Sequence, residues 1–184
     1  MDNYKREESA KTITQEHYYS SPTRSEAVNI VTKSGSLWDS LQEKAINKGL
    51  LVHNILSEID TSDELPMALE KFSKEANLSQ PQLQELEKLL SEVISHPKLA
   101  EYFSASDIVY REQDILSPNG DILRPDRLNC NQNKMTIIDY KTGNVQPSHK
   151  AQMEQYAAVL AQMGFEVSEK ILVYINNEVS LSFV

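Results

Sequence analysis

Near Ser106 the spacing of apolar residues changes from the period of a helix to that of a strand, which restricts the chain to folds that mix the two. Before that point, Leu37, Leu41, Ala45, Ile46, Leu50, Val52, His53, Leu56 and Ile59 recur at helical spacing from Ser36 onward, with Gly49 as a bend or a place of close approach. A second helix is predicted from Ser62 or Asp63, burying Leu65, Leu69 and Phe72. A third has Ser79 as cap, Pro81 in its first turn, an apolar stripe of Leu83, Leu86, Leu90, Val93 and Ile94, and Pro97 as terminator. Residues 99–103 read as one more helical turn. After the switch, strands are predicted over 108–112, 122–128 and 134–140, with a turn at 118–121 and a hairpin loop at 129–133. A helix over 147–163 and strands over 170–175 and 179–184 follow, with a tight turn at Asn176 and Asn177. Helices, three antiparallel strands, a helix and two strands make an α/β fold around a mixed sheet.

Residues 1–35 are polar and read as an arm or linker with at most one short strand at 28–31, which leaves 36–184 as the folded domain. There is no apolar leader and no membrane-length apolar run. The single cysteine, Cys130, excludes an internal disulfide and a cysteine-rich metal site, so a reducing, cytoplasmic setting is the default. A net charge of −9 with dispersed Lys and Arg argues against a broad phosphate-binding surface. Any affinity for nucleic acid has to come from a metal ion, a narrow groove or a partner domain.

Five groups carry possible chemistry. Asp139 and Lys141 share one side of a strand end, with Tyr140 opposite; an isolated pair of this kind is ordinarily a surface ion pair. Asp126, after Pro125, lies on the neighbouring strand, and the hairpin returns it beside Asp139, where two carboxylates suit a hard cation such as Mg²⁺ or Mn²⁺. Read alone, Asp126 is an edge-strand carboxylate. Glu112, near Asp114, lies one strand earlier and alone would be an exposed carboxylate. Gln152 and Tyr156 are four residues apart, on one helix face, although a lone Tyr156 would be core. His53 sits among apolar helix residues, where a half-buried histidine is the ordinary case and a further metal ligand the sharper one.

In this order the five groups resemble the PD-(D/E)xK nucleases, and within them the RecB-like group that includes the C-terminal nuclease of AddA-type helicase–nucleases. The resemblance covers about 36–184 and rests on GLLVH at 49–53, Glu112, RPDRL at 124–128, IIDYKTG at 137–143, and Gln152 with Tyr156. It implies a restriction-endonuclease-like sheet flanked by helices. It also implies that Asp126 and Asp139 bind Mg²⁺ or Mn²⁺, with His53 and the Tyr140 carbonyl completing the shell. Lys141 would orient the attacking water, Glu112 would assist at the metal, and Gln152 and Tyr156 would position the DNA strand. The implied activity is metal-dependent cleavage of DNA ends or single strands, as an exonuclease in end processing and recombinational repair. With only Cys130, the chain departs from the branch that holds an iron–sulfur cluster through four cysteines. It has no GxxxxGK[ST] motif, so the helicase partner would lie elsewhere, and the chain is expected to be an excised C-terminal piece. A silent module of the same fold, used as a scaffold or DNA-strand gate, is the second reading; a generic helical adaptor is the third.

Overall fold

The computed structural model describes residues 41–176 and 178–184. The arm at 1–35 with its strand at 28–31, the start of the first helix at Ser36, and Asn177 of the last turn lie outside the described residues. Helix α1 spans Leu41–Leu56, α2 Leu65–Glu75 and α3 Gln80–Ser95. A 3-10 turn at Ser62–Glu64 leads into α2, where Glu64 Oε2 accepts the Asp60 N–H at 2.6 Å. At the start of α3, Gln82 Oε1 accepts the Ser79 N–H at 2.8 Å, the reciprocal half of a capping box. The turn expected at 99–103 is a 3-10 turn, Ala100–Phe103.

The strands are β1 (Ile108–Arg111), β2 (Ile115–Leu116), β3 (Ile122–Leu123), β4 (Arg127–Asn131), β5 (Lys134–Lys141), β6 (Glu166–Ile175) and β7 (Val179–Phe183), with helix α4 at Pro147–Gln162. Five of them form one mixed sheet in the order β1-β4-β5-β6-β7. Strands β1, β4 and β5 are antiparallel, α4 carries the chain over to a parallel β6, and β7 returns antiparallel. This is the expected α/β architecture, a mixed sheet flanked by helices.

Several boundaries differ from the sequence expectation. The strand expected over 122–128 is two: β3 pairs with β2 in a separate small sheet, and β4 begins only at Arg127. Pro125 between them has no N–H to give a ladder. The loop expected over 129–133 is mostly strand, with only Gln132 and Asn133 in the turn and Gln132 at φ 57°. Strand β6 starts at Glu166 rather than Lys170.

The sheet is covered on both sides, and alternation along β5 divides its residues between two cores. Ile138 and Tyr140 pack with residues of α1, α2 and α3, such as Val52, Leu69 and Leu90. Met135 and Ile137 pack under α4 with Met153, Tyr156 and Leu160. The middle of β5 is therefore buried continuously, as expected for a strand covered on both faces. No helix among the described residues is long and apolar enough to cross a membrane.

Candidate active site

The antiparallel ladders fix where the acidic residues stand. Arg111 pairs with Arg127, and Arg127 with Ile138. One step further along each ladder, Glu112 lies opposite Asp126, and Asp126 opposite Asp139. The Glu112 N–H donates to the Asp126 carbonyl at 2.9 Å, which confirms the first of these pairings. The Asp126 side chain closes the second: its Oδ2 accepts the Tyr140 N–H at 2.7 Å. Three carboxylates thus stand in one row across β1, β4 and β5, at the end of the sheet. Glu112 holds a left-handed backbone at φ 45°, a conformation that costs a residue with a side chain about 1 kcal/mol or more.

His53, in the last turn of α1, reaches this row. Its Nε2 lies 2.9 Å from Asp126 Oδ1 and its Nδ1 lies 3.0 Å from Glu112 Oε1. The Tyr140 ring meets the imidazole edge-on at 6.5 Å. Helix α1 continues through Gly49, and that glycine allows a close approach: a Cβ there would lie 2.6 Å from Thr142 Oγ1. That contact seats α1 against the residue following Lys141.

On the α4 side, Lys141 Nζ lies 2.6 Å from Asp139 Oδ2 and donates to Gln152 Oε1 at 2.9 Å. Gln152 Nε2 donates to the Tyr156 hydroxyl at 2.6 Å, which in turn donates to the Arg124 carbonyl at 3.2 Å. Tyr156 is 3% exposed, so of the two Gln152 is the one nearer the surface. Gln152→Ala, which removes one of the two anchors of Lys141, is expected to lower cleavage about 10-fold with Mn²⁺ affinity unchanged. Calorimetry with Mn²⁺ beside a kinetic assay checks this, and a larger loss in metal affinity than in rate would contradict it.

The electrostatics are those of an acidic pair short of positive charge. Burial pushes the Asp139 carboxyl up to about 6, the charge of Asp126 adds to the rise, and Lys141 and His53 oppose it. The Asp139 side chain is 1% exposed, and its Oδ2, although close to Lys141, makes no well-aligned hydrogen bond among the described residues. The hydrogen bond to Asp126 raises the His53 pKa, against the effect of burial. Both shifts slope stability the same way. Asp139 binds a proton more tightly folded than unfolded (about 3.9), so stability falls as pH rises from about 4 to 6. The stability that His53 contributes is complete below about 6.5 and is lost as pH rises through its higher folded value. The metal-free protein is expected to melt on the order of 5 °C lower at pH 8 than at pH 5. A thermal scan across that range checks it, and a flat or rising profile would contradict it.

Two carboxylates and an imidazole are the donor types a hard to intermediate divalent ion takes, and a buried Asp139 oxygen without an aligned donor fits such an ion. Among the described residues, no three His, Cys, Asp or Glu side chains already converge at ligand spacing. His53 closes on Asp126, and Lys141 on Asp139. Arg124 and Arg127 belong to the RPDRL run but carried no role of their own in the sequence pattern, and neither did Arg111; the Arg124 carbonyl ends the Gln152–Tyr156 chain. Main-chain carbonyls, which Arg127 uses as acceptors and Arg124 supplies, leave no side-chain signature in a sequence.

A mixed sheet that ends in a row of acids, with a lysine two residues after the last of them, is the layout of a metal-dependent phosphodiesterase core. The sequence profile of the PD-(D/E)XK nuclease superfamily matches residues 31–180, and the chain belongs to that superfamily. No curated protein matches it. Among solved structures it is similar to the crystal structure of SSO0001 at 15% identity and a TM-score of 0.34, over 73% of this chain and 65% of that one.

Proposed function

We propose that this chain is a Mg²⁺- or Mn²⁺-dependent deoxyribonuclease, an exonuclease domain of the RecB/AddA-like kind that receives DNA ends or single strands from a helicase in the same or a partner chain. The observation that carries the reading is the row Glu112–Asp126–Asp139, with Lys141 2.6 Å from Asp139 and His53 2.9 Å from Asp126. The run from Ile137 to Gly143, followed by Gln152 and Tyr156, supports the RecB-like assignment, as does GLLVH leading to His53. The acidic net charge of −9 supports delivery of DNA by a partner, because this surface alone attracts phosphate weakly. Work in end processing and recombinational repair, in the cytoplasm, is the setting this assignment entails.

Asp126 and Asp139 would hold the ion, with His53 and the Tyr140 carbonyl as further ligands and Glu112 assisting. When bound, the ion neutralises the phosphate and lowers the pKa of a coordinated water. Lys141, released from Asp139 by the competing positive charge, would orient the attacking water and stabilise charge on the phosphate oxygens. Its compact ammonium suits work on a water better than a guanidinium would. Gln152 holds the Lys141 ammonium and, being half-buried, would offer its amide to the strand. Water attack in line would leave a 5′-phosphate and a 3′-hydroxyl.

The test is incubation of end-labelled linear DNA, single- and double-stranded, with Mg²⁺, with Mn²⁺ and with chelator. Metal-dependent release of 5′-phosphorylated products is expected. Absence of cleavage on every substrate with either ion, by protein that still binds DNA, would favour a silent scaffold of the same fold.

A further inference from the structure

Arg127 is the largest of the fully buried side chains among the described residues, and it sits next to Asp126 in the chain. Its guanidinium donates from Nε to Asn129 Oδ1 at 2.9 Å, from Nη1 to the Ile59 carbonyl at 2.9 Å, and from Nη2 to the Asp60 carbonyl at 2.7 Å and the Tyr102 carbonyl at 2.5 Å. Its face lies 4.3 Å above the Phe103 ring. No carboxylate among the described residues forms an ion pair with it. An ion buried on carbonyls and one amide is a poor device for stability, since an apolar side chain of similar volume is commonly as good or better. What a fork of fixed donors supplies is geometry.

That geometry links the two halves of the site. Ile59 and Asp60 lie in the loop that follows α1, which ends at Leu56 and carries His53. Arg111, the register partner of Arg127, forms an ion pair with the same loop, its Nε 2.8 Å from Asp60 Oδ1 without an aligned hydrogen bond. Arg111 precedes Glu112 and Arg127 follows Asp126. Alternation therefore turns the two arginines away from the carboxylates, toward the helical layer, while the strand ends carry Glu112 and Asp126 to the row. We propose that Arg127, seconded by Arg111, is a positioning residue: a clamp on the loop after α1 that sets the distance from His53 to the carboxylates and so the metal affinity. The proposal rests on the metal-site reading above.

The test is a Mn²⁺ titration by calorimetry on four proteins: the unaltered chain, Arg127→Met, His53→Ala and the double variant. Circular dichroism confirms that each is folded. Arg127→Met is expected to weaken Mn²⁺ binding about 10-fold with His53 present, and less than about 2-fold in the His53→Ala background. A loss of equal size in both backgrounds, or none in either, would overturn the clamp. Should Arg127→Met fail to fold, Arg111→Ala replaces it in the same cycle, since Arg111 is 31% exposed. Its expected loss is about 3-fold, confined to protein that carries His53, and an equal loss without His53 would again overturn the clamp. If the unaltered chain binds no Mn²⁺, the metal-site reading fails with it; if it binds and the two losses are equal, only the clamp fails.

Discussion

Asp139→Ala is expected to lower metal-dependent DNA cleavage by about 10³-fold or more, equivalent to at least about 4 kcal/mol of transition-state stabilisation. The expectation follows from position. Asp139 is the least exposed acid of the row and stands between Asp126 and Lys141, so its loss would remove a proposed ligand and the partner of the lysine together. Mn²⁺ affinity should fall in the same variant. The fold should not weaken, because a carboxyl whose pKa is raised is destabilising in its charged form, and the metal-free variant should melt at or above the parent temperature at pH 7. Rates, Mn²⁺ calorimetry and melting, measured on one preparation, check all three. Lost activity together with a strongly lowered melting temperature would mean that Asp139 serves the fold and not the chemistry.

Lys141→Met is expected to separate what Asp139→Ala combines. Methionine keeps the length and packing of the stem, and the proposed metal ligands would keep their places. Cleavage should fall by about 10²-fold or more, while Mn²⁺ binds as tightly or more tightly, because Lys141 competes with a cation for Asp139 Oδ2 at 2.6 Å. Single-turnover kinetics with saturating metal, beside a Mn²⁺ titration, give the two numbers. Equal losses in rate and in metal affinity would place Lys141 among the structural supports of the ion and remove its role at the water.

The architecture was legible in the sequence wherever one rule acted alone. Helical periodicity and the capping chemistry at Ser79 marked α3, and alternation around Asp139 marked β5 with its two faces. The split at Pro125 was not legible from apolar spacing, because Ile122 and Leu123 continue the pattern of Leu128 while pairing with a different strand. Strand β2 is two residues long, too short for any period to show. The spacing around Gly49 left bend and close approach open, and only the position of Thr142 decides between them. Among the residues singled out for chemistry, the structure brings His53, Glu112, Asp126, Asp139, Lys141, Gln152 and Tyr156 into one connected network at the sheet end. The sequence could point to these because carboxylates, an imidazole and an amine at hairpin spacing have chemistry in themselves. It could not point to Arg127. An arginine in a strand reads as exposed by default, and its partners here are the carbonyls of Ile59, Asp60 and Tyr102, which any residues would supply.

Asp126 and Asp139, acids from paired strands, would share one divalent ion. Crystals of the protein soaked in Mn²⁺ and measured at the manganese absorption edge test it directly. One anomalous peak about 2.2 Å from oxygens of both Asp126 and Asp139, with Lys141 Nζ moved off Asp139, is the predicted result. Full occupancy of manganese elsewhere, with His53 still on Asp126 and Lys141 still on Asp139, would contradict it.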